Sequence, residues 1–190
     1  MTLPGRNLAG SSDDGRPAND FYPTPAYVTK ALMAAEDIRH YDIWEPACGD
    51  GAMSNVLAEA NHKVYVSDLE PRLEGAKVAD FLERGNHPTV EPMNWIITNP
   101  PFKLAAQFVE RAKAYDPDKI AMFLKIQFLE GIGRRDLLLD TKFPLARIHV
   151  FSKRVSLTRN GLPMKNGGTM CFAWFVWDKG HEGPATFHLL

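Results

Sequence analysis

Four consecutive residues, Asn99-Pro100-Pro101-Phe102, follow a short apolar run at residues 94–98. The Asn99 side chain offers a carbonyl acceptor, and Pro100 offers a main-chain carbonyl. Both prolines have a fixed φ and lack an N–H group, so the turn is stiff and presents acceptors. Phe102 adds a flat face for stacking, worth about 1–3 kcal/mol for a nucleic-acid base. The segment predicts a site that grips a planar amino group; the alternative is a proline-rich strand end with an aromatic plug.

A glycine turn ends an earlier apolar run, because residues 43–51 read Ile-Trp-Glu-Pro-Ala-Cys-Gly-Asp-Gly. Gly49 and Gly51 permit positive φ and allow a ligand to approach the main chain closely. The helix predicted to follow offers unpaired N–H groups to an anion. Tight turns often contain two glycines without binding anything, so the turn alone leaves a structural interpretation open.

Two acidic residues follow at positions that suit a nucleoside. Asp68 ends the next predicted strand, 17 residues after Gly51, where it can accept both hydroxyls of a ribose. The third glycine of the dinucleotide fingerprint is missing, which argues against a dinucleotide. Asp80 lies where a third strand finishes or the next turn begins. It suits an adenine amine, with Phe81 covering the ring; a helix N-cap or a surface acid is the alternative.

Together these features predict methyl transfer to an aromatic amine. The lone pair of such a nitrogen is delocalised into the ring, so two acceptors must hold its hydrogens and aim it. S-adenosylmethionine supplies a cationic sulfonium methyl, needs no metal, and leaves as S-adenosylhomocysteine. Orientation of the reacting groups lowers the barrier by roughly 7–11 kcal/mol in favourable cases.

Strand and helix patterns alternate along the chain and end with two strands. This order predicts a doubly wound, mostly parallel, Rossmann-like α/β sheet that ends in an antiparallel hairpin at its far side. The expected strands are residues 42–46, 63–68, 94–98, 120–126, 146–151 and 169–177, with a third strand near residues 78–82. The expected helices are residues 27–35, 52–60, 104–115 and 133–139. The aromatic strand 169–177 is interpreted as core.

Length and composition fit one domain of a soluble globular protein, with 190 residues, 45% hydrophobic and 24% charged. Residues 1–19 lack an apolar stretch and predict a disordered segment rather than a signal peptide. No apolar run reaches the roughly 18 residues that span a bilayer. Cys48 and Cys171 lie far apart and are interpreted as buried small residues, and the six histidines lack metal-ligand spacing. A reducing cytosol and no metal are expected.

The net charge of −1 hides an asymmetry. Residues 1–102 carry 8 basic and 15 acidic side chains, whereas residues 103–165 carry 13 basic and 6 acidic ones. A basic half can bind phosphates, although chance segregation of solvated charges is the alternative. Phe128 and Phe151 are candidates for a second stacking wall, with core packing as the alternative. The predicted phosphate contacts are Arg134, Arg135, Lys153, Arg154, Arg159 and Lys165.

The glycine turn at 45–51 followed by Asn99-Pro100-Pro101-Phe102 resembles the class I S-adenosylmethionine-dependent methyltransferases that modify the N6 amine of adenine in DNA. Residues 21–25, Phe-Tyr-Pro-Thr-Pro, are similar to the N-terminal motif of that family. The motif order resembles the gamma group, and small phage and prophage enzymes look most alike. The resemblance covers residues 20 to about 130, and more loosely extends to 177.

The resemblance implies roles for individual residues. Thr24, Glu45 and Asp50 would surround the methionine part of the cofactor, Asp68 would bind ribose, and Asp80 with Phe81 would bind adenine. Asn99, Pro100, Pro101 and Phe102 form the predicted catalytic set, into which a target base must flip. The predicted cofactor set is Tyr22, Thr24, Pro25, Glu45, Pro46, Ala47, Gly49, Asp50, Gly51, Asp68, Leu69, Asp80, Phe81 and Asn99.

The resemblance also implies a DNA partner and a cytoplasmic location, in a bacterial cell or a phage-infected host. Larger family members carry a separate target-recognition domain, whereas residues 20–190 suggest a single methyltransferase domain without one. The oligomeric state is open.

Two alternatives are retained. Asn-Pro-Pro-aromatic segments also occur in methyltransferases that act on guanine amines of ribosomal RNA or on a glutamine amide of release factors. The residues at 21–25 and Phe102 favour adenine. A binding protein that kept the fold and lost catalysis is the other alternative, but both motifs are intact.

Overall fold

The computed structural model describes residues 21–38, 41–85, 94–159, 162–163 and 170–190, so the predicted disordered segment at 1–19 lies outside it. The strands are β1 (Asp42–Glu45), β2 (Lys63–Asp68), β3 (Lys77–Val78), β4 (Trp95–Thr98), β5 (Lys119–Lys125), β6 (Leu145–Val150), β7 (Thr158–Arg159), β8 (Leu162–Pro163), β9 (Phe172–Asp178) and β10 (Thr186–Leu189). The helices are α1 (Ala26–Ala35), α2 (Ser54–Glu59), α3 (Ala105–Ala114) and α4 (Arg135–Leu138).

Eight of these strands form one sheet in the order β10-β6-β9-β5-β4-β1-β2-β3. Strand β9 is antiparallel to β5 and β6, and the other pairings in this sheet are parallel. The predicted doubly wound sheet with an antiparallel pair at its far side is therefore confirmed. The short strands β7 and β8 form a separate antiparallel pair.

Side-chain alternation along the strands divides the core between the two faces of the sheet. On β9, Phe175 and Trp177 pack on one face, whereas Trp174 and Val176 pack on the other. Helix α3 presents Phe108 and other apolar residues to the first face, and α1 covers the second. Because both faces are covered, β9 is buried from residue 172 to residue 177, and its interpretation as core is confirmed.

Prolines set where two strands stop. Strand β1 ends before Pro46, and β4 ends one residue before the pair Pro100 and Pro101. A proline has no N–H group to continue a ladder of hydrogen bonds. The chain therefore leaves the sheet at the carboxyl ends of these neighbouring strands, which places the glycine turn and the Asn99 motif side by side.

Several element boundaries differ from the sequence prediction. Helix α2 begins at Ser54 rather than residue 52, because residues 51–53 form a turn. The predicted helix 133–139 is a 3-10 turn, Ile132–Arg134, followed by the four residues of α4. Strand β10 was missed because its side chains are all exposed and show no alternation of buried and exposed positions.

A buried ionic cluster ties the C-terminal end of α1 to the sheet. Glu36 Oε1 accepts hydrogen bonds from Arg147 Nε at 2.5 Å and lies 2.7 Å from His149 Nε2. Arg147 also donates to Asp178 at 2.9 Å, so the cluster joins α1 to β6 and β9. Burial alone would raise the pKa of Glu36, but the hydrogen bonds from His149 and Arg147 outweigh it and lower the pKa below its usual 4.5.

Within the described residues, no helix is long and apolar enough to cross a membrane. The same part of the chain holds no group of three or more His, Cys, Asp or Glu side chains arranged to bind a metal ion.

Candidate active site

A cavity of about 440 Å³ opens at the carboxyl ends of β1, β2 and β4. In open α/β sheets, ligands bind at this edge, where the chain order of the strands reverses. The cavity gathers most of the predicted residues from segments far apart in sequence. The predicted residues that line it are Tyr22, Thr24, Glu45, Pro46, Ala47, Asp50, Asp68, Leu69, Asp80, Phe81, Asn99, Pro100, Pro101 and Phe102.

Gly49 and Gly51 have the predicted positive φ, but they do not line the cavity. Gly49 has φ +53°, and a Cβ atom there would lie 2.2 Å from the ring of Phe21. Gly51 has φ +82°, and a Cβ would meet Leu73 at 2.9 Å. These glycines allow the turn and the close packing of protein side chains. Pro25 also lies outside the lining, directly before α1.

Asp68 stands at the end of β2 with hydrogen bonds on both carboxylate oxygens. Oδ2 accepts from Gly49 N at 2.8 Å, and Oδ1 accepts from Glu70 N at 2.9 Å. A carboxylate has about four lone-pair sites, so two remain for further donors. The bonds orient Asp68 in the cavity wall and join the glycine turn to β2.

Glu45 is buried, with only 2% of its surface exposed, and its Oε2 atom has no hydrogen-bond partner among the described residues. Burial raises the pKa of Glu45 well above its usual 4.5, and the nearby negative charges of Asp68 and Asp50 raise it further. Hydrogen bonds from Ser54 oppose this increase only in part. A cation bound in the cavity would favour the ionised form.

The same burial acts on Cys48. Burial, followed by the charges of Glu45 and Asp68, raises the pKa of the Cys48 thiol to about 12. The thiol therefore stays protonated, as expected for a packing residue rather than a nucleophile. Cys171 is half-buried rather than buried.

The Asn99 amide is held by the segment that precedes α1. Its Nδ2 donates to Tyr22 O at 3.2 Å and to Thr24 Oγ1 at 3.0 Å. A main-chain carbonyl can only accept, so the Nδ2 side of the amide must face Tyr22. The opposite atom, Oδ1, is buried and has no hydrogen-bond partner among the described residues. An acceptor is thus fixed in place beside the cavity.

Phe102 follows this acceptor at the start of a 3-10 turn, Phe102–Leu104. Its ring lies near parallel to that of Tyr22, with centroids 6.3 Å apart, and 5.6 Å from that of Phe172. The ammonium group of Lys125 lies 4.7 Å from the Phe102 centroid. Other groups therefore surround the ring, and a stacked base would have to replace one of them.

Asp80 and Phe81 border the cavity from the loop after β3. Asp80 Oδ1 accepts from Leu82 N at 2.8 Å, so the carboxylate closes a local turn while it lines the cavity. Phe81 is 3% exposed and packs against Trp44 and Phe108 in the core. Little of its ring is left to cover an adenine.

A second cavity of about 410 Å³ adjoins the first, and Tyr22, Phe102 and Lys103 line both. Its other walls come from the end of β5, the turns after it, and the start of β9. Aromatic and cationic side chains are both present there. The residues particular to this second cavity are Ala105, Leu124, Lys125, Gln127, Phe128, Arg134, Val155, Leu157, Met170 and Phe172.

Several lining residues were not predicted. Phe21 lies on the glycine turn, and the guanidinium of Arg72 lies 4.2 Å from its ring centroid. Met53 and Phe108 reach the first cavity from its base, and Lys125 reaches the second. Phe21 is the first residue of the N-terminal motif at 21–25, which is the one local signal. The others depend on long-range packing.

The two candidate stacking residues have different positions. Phe151 packs in the core, with its ring 6.0 Å from that of Phe123. Phe128 packs against Phe175 and Trp177 and also lines the second cavity.

The predicted DNA contacts are only partly exposed. Arg135, Lys153 and Arg154 are exposed, whereas Arg134 is half-buried and donates hydrogen bonds to main-chain carbonyls of the preceding 3-10 turn, Ile126–Leu129. Part of the Arg134 guanidinium is therefore engaged within the protein, and its contact with a phosphate stays a prediction. Arg159 lies in β7, and nothing is described of its side chain; Lys165 falls outside the described residues.

Other cationic side chains of the basic half form ion pairs within the protein. Lys113 pairs with Asp140 at 3.1 Å, and Lys142 pairs with Asp116 at 2.9 Å. The excess of positive charge in residues 103–165 therefore serves the fold as well as the surface.

No family model matches the chain, and no curated protein matches it in sequence. Solved structures do match in fold. A candidate RNA methyltransferase from Pyrococcus horikoshii aligns with a TM-score of 0.62 and 14% identity, over 85% of this chain and 87% of that one. The modification subunit of a candidate type I restriction enzyme from Vibrio vulnificus YJ016 aligns with a TM-score of 0.61 and 15% identity. That alignment covers 94% of this chain and 48% of that one.

Magnesium protoporphyrin IX methyltransferase from Synechocystis PCC 6803, crystallised with S-adenosylmethionine, gives a TM-score of 0.53 at 15% identity. The alignment covers 80% of this chain and 76% of that one. The protein therefore has the Rossmann-like fold of class I methyltransferases, with a cavity at the edge of the sheet where that fold binds ligands.

Proposed function

We propose that this protein transfers a methyl group from S-adenosylmethionine to the N6 amine of adenine in DNA. The observation that carries the proposal is the Asn99 amide. Its nitrogen is fixed by Tyr22 and Thr24, and its buried oxygen has no partner among the described residues. Buried polar atoms are almost always hydrogen-bonded, so a ligand with an N–H donor would complete the site.

The first cavity suits the cofactor. Three carboxylates, those of Glu45, Asp50 and Asp68, line a cavity whose ligand would carry a sulfonium and an ammonium group. Asp68 at the end of β2 would accept hydrogen bonds from the ribose hydroxyls, and Asp80 would accept one from the adenine amine. The class I fold and the methyltransferases that share it support this assignment.

The second cavity suits the acceptor base. It adjoins the first at Phe102, so a base within it would place its amine near Asn99. Lys103 and Lys125 line this cavity and can hold phosphates, whose contacts dominate DNA affinity. The exposed Arg135, Lys153 and Arg154 extend the positive charge outside it.

Methyl transfer then needs only orientation and charge balance. Asn99 Oδ1 and the Pro100 carbonyl would accept the two amine hydrogens and direct the nitrogen lone pair at the sulfonium methyl. The new N–C bond forms as the C–S bond breaks, which leaves neutral S-adenosylhomocysteine. The methylated amine loses one proton to solvent. No covalent enzyme intermediate is required, consistent with a protonated Cys48.

Target choice would depend on the stretches between β5 and β6 and between β6 and β9, because both border the second cavity. We infer that residues 20–190 act as one methyltransferase domain.

The proposal is tested by methyl transfer from tritiated S-adenosylmethionine to DNA, ribosomal RNA and protein. We expect label in DNA, recovered as N6-methyladenine after digestion to nucleosides. Asn99→Ala should lower transfer by about 100-fold or more, in line with the loss of a preorganised hydrogen-bond group, and leave cofactor binding largely intact. Asn55→Ala, at an exposed asparagine outside both cavities, is the matched control.

Label confined to ribosomal RNA or to protein would contradict adenine in DNA and favour one of the other amine-directed reactions. Calorimetry that shows no binding of S-adenosylmethionine would contradict the methyltransferase assignment itself. Near-normal turnover by Asn99→Ala would remove Asn99 from the reaction.

A further inference from the structure

A glycine-flanked turn carries a highly exposed aliphatic side chain next to the second cavity. Ile132 is 92% exposed and stands between Gly131 and Gly133 at the start of the 3-10 turn Ile132–Arg134. Gly131 has φ +97°, a conformation that turns the chain outward and that β-branched residues avoid. The turn therefore projects an apolar group into solvent.

Arg134 fixes the stem of this turn. Its Nε donates to Phe128 O at 2.8 Å, and its Nη2 donates to Gln127 O at 3.3 Å and to Glu130 O. The guanidinium also lies 5.4 Å from the centroid of the Phe128 ring. One side chain thus holds three carbonyl groups, so Ile132 is presented on a braced loop rather than on a free one.

The stem is also a wall of the proposed acceptor pocket. Gln127, Phe128 and Arg134 line the second cavity, and Arg134 lies two residues after Ile132. The next residue, Arg135, is exposed and positively charged. An apolar tip beside a base-sized cavity, with a cation next to it, fits the chemistry of a DNA duplex that is being opened.

We infer that Ile132 is a positioning residue that enters the base stack of duplex DNA when the target base leaves it. This inference rests on the proposed function. A flipped base leaves a gap between its neighbours, and the unpaired partner base remains exposed in that gap. Apolar wedges such as isoleucine fill gaps of this kind in other DNA-binding proteins and offset the loss of stacking. Single-stranded DNA leaves no gap and needs no wedge.

The test compares duplex and single-stranded forms of one substrate. An unmethylated amplified DNA is assayed before and after heat denaturation, with wild type and Ile132→Ala. We expect the variant to lose about tenfold or more in kcat/KM on the duplex, since unstacking costs a few kcal/mol per step. Its kcat/KM on the single-stranded form and its affinity for S-adenosylmethionine should stay close to the wild-type values.

Two further variants make the result specific. Leu139→Ala truncates another exposed aliphatic residue of the same segment, at 61% exposure. It should leave kcat/KM unchanged on both the duplex and the single-stranded DNA. Ile132→Leu keeps an apolar side chain of the same size, and should retain activity on the duplex. Circular dichroism of each variant checks that the fold is retained.

The outcomes separate this inference from the proposed function. If Ile132→Ala lowers kcat/KM equally on duplex and single-stranded DNA, or not at all, the inferred role of Ile132 is wrong, while DNA methylation as the function is unaffected. Wild-type activity confined to single strands would overturn that role as well. Cofactor binding without label in either form of DNA would contradict the proposed function and, with it, the inferred role of Ile132.

Discussion

At the residue scale, four buried side-chain oxygens lack hydrogen-bond partners among the described residues, and two of them belong to side chains that line the first cavity. These two are Glu45 Oε2 and Asn99 Oδ1. Leaving a buried polar group without a partner costs about 1–3 kcal/mol, and more if it is charged. Their proximity to one cavity means that the unliganded protein carries a cost that a suitable ligand would remove.

Glu45→Gln tests this cost through the pH dependence of stability. The pKa of Glu45 is raised in the folded protein, so the unfolded chain, at the usual 4.5, releases its proton first as the pH rises. The stability of the unliganded wild type therefore falls as the pH rises above 4.5 towards the folded-state pKa. Glutamine does not ionise, so the stability advantage of Glu45→Gln should grow over that range. Urea midpoints of the unliganded proteins measure the difference.

The same variant should bind the cofactor less well. Ionised Glu45 would balance the positive charge of S-adenosylmethionine, whereas glutamine cannot. We expect calorimetry at pH 7.5 to show about tenfold weaker binding, a loss of about 1.4 kcal/mol. Unchanged affinity together with an unchanged pH profile would show that Glu45 does not face a cation.

At the element scale, the segment before α1 and the glycine turn after β1 form one unit. Thr24 and Tyr22 hold Asn99, and Phe21 lies directly on Gly49. Gly49 in turn donates its N–H to Asp68 at the end of β2. The same contacts would therefore position the proposed cofactor-binding and acceptor-binding groups.

Gly49→Ala should disrupt this unit, and Gly75→Ala provides a matched control. Both glycines have positive φ, +53° and +82°, so each alanine bears a conformational cost of about 1–2 kcal/mol. At Gly49 the new Cβ would also lie 2.2 Å from Phe21, whereas nothing lies within 4 Å at Gly75. We expect Gly49→Ala alone to weaken cofactor binding, by about tenfold or more. Equal affinities for the two variants would refute the role of the Phe21 contact.

The sequence was informative where chemistry is local. The glycine turn, Asp68 at a strand end and the proline-stiffened Asn99 motif each follow from a few adjacent residues, and the fold brings them to one cavity. Contacts between distant segments could not be predicted. The packing of Phe21 on Gly49 is one example, because nothing near Phe21 in sequence specifies its partner.

Arg134 shows a second kind of limit. Its charge and its place in a basic stretch predicted a phosphate contact, whereas its Nε and Nη2 donate to carbonyl groups of the preceding 3-10 turn. Composition counts a cation wherever it occurs, whereas its role depends on which acceptors the main chain leaves open nearby. The exposed strand β10 escaped prediction for a related reason, since its fold depends on pairing with β6.

At the scale of the whole molecule, the cluster of Glu36, Arg147, His149 and Asp178 joins α1 to the far strands of the sheet. Helix α1 follows directly after the segment that holds Asn99. The cluster therefore supports the site from a distance, through the position of that helix.

Glu36→Gln should destabilise the protein by about 3 kcal/mol at pH 7, because removing one partner of a buried ion pair leaves the others uncompensated. The pKa of Glu36 is lowered in the folded state, so its stabilisation is present above 4.5 and is lost as the pH falls through the folded-state pKa. The difference in urea midpoint between wild type and Glu36→Gln should therefore shrink below pH 4.5. Glu59→Gln, at an exposed glutamate, is the control. A difference that is constant with pH would contradict this role.

Strand β9 lies between β5 and β6 in the sheet, and the segment that connects β6 to β9, residues 151–171, leaves the sheet at one edge. β6 ends and β9 begins at the same edge of the sheet, and each of these strands is paired on both sides. Residues 151–171 connect the two strands, and an exchanged stretch would have to keep the buried side chains of Phe151, Val155 and Leu157. Under the proposed function, grafting the exposed part of that stretch from a DNA methyltransferase should change the nucleotide context that is methylated and leave the affinity for S-adenosylmethionine close to its original value.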